Sequence, residues 1–211
     1  MPPFHIFLIT RFHHFCFMQT ENWQTLVKEQ QFNDVLMEWN AKINLVSRKK
    51  LNVLDLIEDS KLFFKGINIK PGDRLLDLGT GGGFPGIVIA INHPEAKLVL
   101  VDSIQKKIGV VKDVIKRLEL TNCTAICSRA EELAKDPNHA GKYDYVTARS
   151  VTVLQDLCAY AKPLLKQGGR LVTVKGGDIS GEIHKTRKLD YVKNIEKMKF
   201  GERILIIVEL V

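Results

Sequence analysis

The stretch Arg74-Leu75-Leu76-Asp77-Leu78-Gly79-Thr80-Gly81-Gly82-Gly83-Phe84-Pro85-Gly86 constrains this chain more than any other. An apolar run ends in an acid, enters a glycine cluster and then reads as a helix start. A second apolar run, Leu98-Val99-Leu100-Val101, ends in Asp102 about twenty residues further on, the layout of a nucleotide-type site at the carboxyl edge of a parallel sheet. Such a loop must bend sharply and let a ligand approach its backbone, which glycine does without a Cβ penalty. The helix that follows points its free N–H groups at the ligand. Pro85 suits a first helical turn, where no hydrogen bond is lost.

The glycine spacing fits two ligand classes. Gly79-x-Gly81-x-Gly83 matches an S-adenosylmethionine loop, and Gly81-x-Gly83-x-x-Gly86 matches the dinucleotide fingerprint equally well. Asp102 would accept from ribose hydroxyls in either case. Asp77 favours S-adenosylmethionine, because a carboxylate there can hold the cofactor amino group or a water near it and would repel a pyrophosphate.

From Arg74 onward short apolar strands alternate with helical segments, which predicts βαβ units and a mostly parallel sheet. Strands are expected at 74–78, 97–101, 123–127, 143–147 and 170–174. A last pair, 191–198 and 203–210, separated by Phe200-Gly201, reads as a terminal antiparallel hairpin, a feature of methyltransferase sheets. The expected fold is therefore α/β, a Rossmann-like class I S-adenosylmethionine-dependent methyltransferase with a mostly parallel seven-stranded sheet and an N-terminal helical extension. Each parallel strand ends in charge or polarity on the ligand-binding edge: Asp77, then Asp102 and Ser103, then Arg129 and Glu131, then Arg149, then Lys175.

Ahead of that domain, residues 18–70 read as a helical segment. Leu26, Phe32, Val35, Leu36, Trp39 and Ile43 recur at helical intervals, and a second helix follows the basic break Ser47-Arg48-Lys49-Lys50, at about residues 53–64. Pro71-Gly72 turns the chain into the main domain, residues 71–211. Residues 1–17 mix Phe4, Ile6, Phe7, Leu8 and Ile9 with His5, Arg11, His13 and His14. The apolar run 6–9 is too short for a signal peptide or a membrane span. Met18 reads as a start, and residues 1–17 as an upstream extension outside the fold.

The chain has 211 residues, enough for one sizeable α/β domain and a small appendage, and a net charge of +7 that suits a polyanionic partner. Its four cysteines, Cys16, Cys123, Cys127 and Cys158, lack zinc spacing and read as reduced thiols of a cytoplasmic protein, with no metal and no membrane partner expected.

The loop resembles the cofactor motif of the bacterial RsmG family, also called glucose-inhibited division protein B. The resemblance continues through Asp102-Ser103-x-x-Lys106-Lys107, Ser128-Arg129-Ala130-Glu131-Glu132, Thr147-Ala148-Arg149-Ser150 and Val174-Lys175-Gly176. It includes Trp39-Asn40-x-x-Ile43-Asn44-Leu45-Val46-Ser47 and covers nearly everything after Met18. One departure is visible: the family usually has a histidine before the Asp59-Ser60 pair, and this chain has Leu56 there. The resemblance implies transfer of a methyl group from S-adenosylmethionine to N7 of a guanine in small-subunit (16S) ribosomal RNA. It adds Phe84, Ala130, Glu131 and Arg149 to the cofactor contacts, with Gly79. Together the candidate cofactor residues are Asp77, Gly79, Gly81, Gly83, Phe84, Asp102, Ser103, Ala130, Glu131 and Arg149.

The N7 lone pair is already nucleophilic, so no general base is required, and catalysis reduces to alignment and charge accommodation. The region after the fourth strand agrees. It has no Asn/Asp-Pro-Pro-aromatic element for amino methylation and no Pro-Cys nucleophile, only Thr147-Ala148-Arg149. Arg149 is expected to position the cofactor by a bidentate contact to its methionine carboxylate. Arg48, Lys49, Lys50, Lys175, Lys188 and Arg203 are the candidate RNA-binding residues; phosphate contacts of this kind position a substrate without reading sequence. The expected partner is small-subunit ribosomal RNA or an assembling 30S subunit, met by a monomer. Two alternatives stay open: a methyltransferase with another acceptor, and a non-catalytic nucleotide-binding regulator.

Overall fold

The structure, a computed structural model, describes residues 6–46 and 52–211, with side chains from residue 23 onward. Seven strands form one sheet in the order β3-β2-β1-β4-β5-β7-β6. They are β1 (Arg74–Leu78), β2 (Lys97–Asp102), β3 (Cys123–Cys127), β4 (Tyr143–Arg149), β5 (Leu165–Gly176), β6 (Val192–Phe200) and β7 (Arg203–Leu210). The first five pair in parallel, and β7 pairs antiparallel with both β5 and β6. The order reverses at β1, whose neighbours are β2 and β4, and open α/β sheets bind ligands at that switch point.

The strands follow from their residues. Val, Ile and Leu fill positions covered on both faces, so the parallel strands read as apolar runs. Two apolar clusters result, one on each face of the sheet. Helices α3 (Gly86–Asn92) and α4 (Gln105–Arg117) pack on one side, and α6 (Leu154–Ala161) and α7 (Ser180–Thr186) on the other. The short α5 (Ala130–Leu133) follows β3.

Several boundaries differ from the sequence expectation. Strands β2 and β4 run on through their terminal Asp102 and Arg149, whose backbones still pair with Cys127 and Val174. Strand β5 begins at Leu165 rather than residue 170, because a register shift lets the ladder pass Gly168-Gly169. The first helix, α1, spans Ile6–Asn40 and so begins well before residue 18, where the helical segment is expected to start. No proline or glycine lies between Pro3 and Gly66, so nothing local stops that helix in residues 6–19.

The N-terminal part is tied to the domain by polar side chains as well as by packing. Trp39 Nε1 donates to Asp113 Oδ2 on α4 at 2.8 Å. Asn40 Oδ1 accepts from the N–H groups of Leu45 and Val46, each at 2.9 Å, which ends α1 and turns the chain. Asn33 Oδ1 accepts from Val53 N at 2.9 Å, ahead of α2 (Leu54–Lys61), and a 3-10 turn, Leu62–Lys65, completes the second expected helix. Phe32 and Leu36 of α1 are fully buried, and Phe32 stacks at a tilt on Phe84 with ring centroids 4.9 Å apart. The first helix therefore backs the glycine loop. Among the described residues no helix is long and apolar enough to cross a membrane.

Candidate active site

Strand β1 delivers Asp77 beneath the glycine loop. Asp77 is fully buried; its Oδ2 accepts from Gly86 N at 2.9 Å and its Oδ1 from Thr147 Oγ1 at 3.2 Å. A Cβ on Gly86 would stand 2.7 Å from that Oδ2, so the clamp requires glycine there. Burial pushes the Asp77 carboxyl up to about 6, against the hydrogen bonds from Gly86 and Thr147 and the charge of Arg149. The sequence suggested a direct ligand contact for Asp77. In the structure one of its oxygens holds the end of the loop at Gly86 and the other meets Thr147 of β4, and it does not line the cavity above.

That cavity, of about 330 Å³, opens over the ends of β1, β2 and β3. Of the candidate cofactor residues it gathers Gly79, Asp102, Ser103, Ala130 and Glu131. Asp102 is almost buried; its Oδ2 accepts from Gly81 N at 3.0 Å and its Oδ1 from Ile104 N at 2.9 Å, and Lys107 Nζ stands 3.7 Å away. A carboxylate has about four acceptor positions, so Asp102 fixes the loop and still has capacity for a hydroxyl pair. Gly79 has φ +70°, and a Cβ there would come within 2.6 Å of Val151 Cγ2. The loop can therefore pass under Val151 only as glycine. The cavity also takes Ile104, Lys107, Val151 and Tyr160, which the sequence reading missed. Ile104 and Val151 are apolar and partly exposed there, and only their places just after charged strand ends signalled them.

Gly81, Gly83 and Phe84 shape the loop without lining this cavity. Phe84 lies under the Arg149 guanidinium, 4.9 Å from its ring centroid. Arg149 also donates to the Leu56 carbonyl at 3.3 Å. Burial lowers the Arg149 pKa, and the carboxylates of Asp59 and Asp77 oppose that shift. The sequence expectation aimed Arg149 at the cofactor. Its guanidinium, against Phe84 and Leu56, lines a second cavity of about 300 Å³ next door. That cavity is walled by Leu56, Asp59, Arg149, Lys175, Glu182 and Arg203 among others, and Ser150, with φ +54°, lines both.

The description "rRNA small subunit methyltransferase G" (GidB) matches residues 25–203 of the chain. The chain belongs to this family. It is similar to the ribosomal RNA small subunit methyltransferase G of Chlorobaculum tepidum, 40% identical over 190 residues that span 87% of this chain and 84% of that one. The enzyme of the same name from Desulfitobacterium hafniense is 37% identical over 189 residues, 84% of this chain and 78% of its own. Among solved structures, a SAM-dependent methyltransferase from Aquifex aeolicus superposes with a TM-score of 0.58 at 17% identity, covering 75% of this chain and 93% of that one. A SAM-dependent O-methyltransferase from Thermotoga maritima gives 0.60 at 16% identity, covering 84% and 71%. These two show the fold, the expected methyltransferase sheet with its antiparallel hairpin.

In this chain the six candidate RNA-binding residues separate. Arg48, Lys49 and Lys50 lie outside the described residues. Lys188 is exposed. Arg203 pairs with Asp59 at 2.7 Å. Lys175 is not a free cation: its Nζ donates to the Thr152 carbonyl at 2.8 Å and to Glu182 Oε2 at 2.7 Å, and the side chain is 15% exposed. A partner this close and this buried leaves Lys175 little freedom to meet a phosphate.

Proposed function

We propose that the chain transfers a methyl group from S-adenosylmethionine to N7 of a guanine in small-subunit (16S) ribosomal RNA. The observation that carries this reading is the match of residues 25–203 to rRNA small subunit methyltransferase G, on a chain with two cavities meeting at the sheet's switch point. The donor set fits the cofactor: a near-buried carboxylate with spare acceptor capacity, a loop closed to any side chain at Gly79, and apolar flanks at Ile104 and Val151. Bound S-adenosylmethionine supplies an electrophilic methyl group on a sulfonium.

The residues then have separate tasks. Asp102 takes the ribose hydroxyls, while Ser103, Ala130 and Glu131 line the nucleoside side. Asp77 holds Gly86 and thereby the loop. Arg149 positions the acceptor side; guanine N7 needs no base, so alignment of the nucleophile with the methyl group is the main requirement. Exposed basic residues such as Lys188 meet RNA phosphates. The enzyme acts in the cytoplasm, as a monomer, on naked ribosomal RNA or on an assembling 30S subunit.

The test maps N7-methylguanine in small-subunit ribosomal RNA from cells with and without the gene. One guanine should lose its methyl group in the deletion and regain it when purified protein and S-adenosylmethionine are added to the RNA. Identical maps from both strains contradict the reading.

A further inference from the structure

Resting on the guanine-N7 reading above, a selectivity question follows, because adenine also presents an N7 lone pair. Attack through N7 does not by itself choose guanine. The choice must fall on the other edge of the base, where guanine offers N1–H and N2–H donors and adenine offers none at those positions except a C–H and a bare nitrogen. A paired set of donors is best met by a carboxylate, through charge-assisted hydrogen bonds.

The second cavity holds two carboxylates, Asp59 and Glu182. Asp59 is compensated: Arg203 pairs with it at 2.7 Å, and it also acts on the charge of Arg149. Glu182 differs. Its Oε2 accepts from Leu154 N and Lys175 Nζ, each at 2.7 Å, and no hydrogen bond reaches its Oε1 among the described residues. The side chain is 29% exposed and lines the cavity. Burial alone would raise the Glu182 carboxyl, but Lys175 and the Leu154 N–H hold it below the ordinary glutamate value. It is therefore a fixed anion at neutral pH. A second observation points to a polar ligand in the same place. Thr173 also lines the cavity, is fully buried, and its Oγ1 has no hydrogen-bond partner. A buried hydroxyl left unpaired is uncommon and marks a group awaiting a partner.

The two cavities meet at Ser150, after β4, and Glu182 enters from α7, beyond β5. A purine whose N7 faces the shared wall turns its six-membered ring towards β5 and α7. We propose that Glu182 is the residue that selects guanine, accepting N1–H and N2–H through Oε1 while Lys175 and Leu154 N hold the carboxylate in place. Lys175 is then a positioning residue for Glu182.

The test compares matched small-subunit RNAs carrying guanosine or inosine at the target. Inosine keeps N7, O6 and N1–H and lacks only the N2 amino group. The wild-type enzyme should favour guanosine over inosine in kcat/KM by about tenfold or more, the effect of losing one good base-edge contact. Glu182→Gln keeps an acceptor for Leu154 N. It should lower kcat/KM on guanosine, bring the guanosine-to-inosine ratio close to one, and leave the affinity for S-adenosylhomocysteine unchanged. Glu182→Ala should also flatten the ratio, with a thermal melt to register its fold. A purely structural Glu182 would slow both substrates equally and keep the ratio, which overturns the proposal. A wild-type ratio of one also overturns it. Absence of N7-methylguanine with any substrate would instead remove the function on which the proposal rests.

Discussion

On the β1–β3 side of the sheet edge the cavity is made by one loop and the strand ends beside it. Asp77 and Asp102 there accept from the backbone N–H groups of Gly86, Gly81 and Ile104, and Asp77 also from the Thr147 hydroxyl. On the β4–β5 side the wall is assembled from side chains of four separate regions. Asp59 comes from α2, Arg149 from β4, Glu182 from α7 and Arg203 from β7; Asp59 pairs with Arg203, and Glu182 with Lys175, each at 2.7 Å. The first cavity is a property of backbone conformation, and the second is a property of charge placement. Substitutions should therefore act differently on the two: steric changes should empty the first, and neutralised charges should disable the second without unfolding it.

The largest effect should come from filling the first cavity's floor. Gly79→Val places a branched side chain where even a Cβ meets Val151 at 2.6 Å, at a φ of +70°. Calorimetry should detect no S-adenosylhomocysteine binding. Retained affinity would mean the loop yields, and the contrast between the cavities would fail at its first term.

On the other side, Arg149→Ala should lose most methyl transfer, roughly tenfold or more, as a charged hydrogen-bonding group is removed. Cofactor affinity should change far less, because the guanidinium faces the second cavity. Arg149→Lys should recover only part, since lysine lacks the planar fork. Methyl incorporation and cofactor titration on the same preparations separate these outcomes. A matching loss of cofactor affinity would return Arg149 to the cofactor.

Asp77 sharpens the comparison through pH. Its pKa is about 6 when folded against 3.8 as the ordinary value, so between these values the folded state binds the extra proton. Stability from this group is full below about 4 and is lost as pH rises through 6, by roughly 3 kcal/mol at 1.36 kcal/mol per unit. Denaturant titrations should show Asp77→Asn gaining on wild type across that window. A difference independent of pH would show that the buried carboxyl is not the titrating group.

The smallest effect concerns RNA. Lys188→Met should reduce the salt slope of RNA binding by about one unit or less, whereas Lys175→Met should leave the slope unchanged. Equal slopes for the two variants would mean that Lys175 reaches phosphate despite its pairing with Glu182.

The same contrast explains what the sequence disclosed. Strands β1, β3 and β7 lie where their apolar runs place them, and the switch-point cavity follows from a contiguous motif, because turn, acid and helix start are local. Asp77 is legible as important, yet its partners are Gly86 N, nine residues on in the chain, and the Thr147 hydroxyl on β4, and only folding brings them to the carboxylate. Lys175 and Glu182 are seven residues apart across a turn, and no periodicity announces that one neutralises the other. Asp59 and Arg203 are far apart in sequence and meet only when α2 reaches the β7 edge. The start of α1 was missed for a different reason: an apolar stripe reports packing, and a helix can continue beyond it wherever no breaker intervenes.

Hydrogen–deuterium exchange with and without saturating S-adenosylhomocysteine tests the division most directly. Protection should appear at residues 79–84, 102–107 and 128–131, the loop and strand ends around the first cavity, and α7, Ser180–Thr186, should exchange unchanged. Protection centred on α7 and residues 176–179, with the glycine loop unaffected, would contradict the assignment of the two cavities.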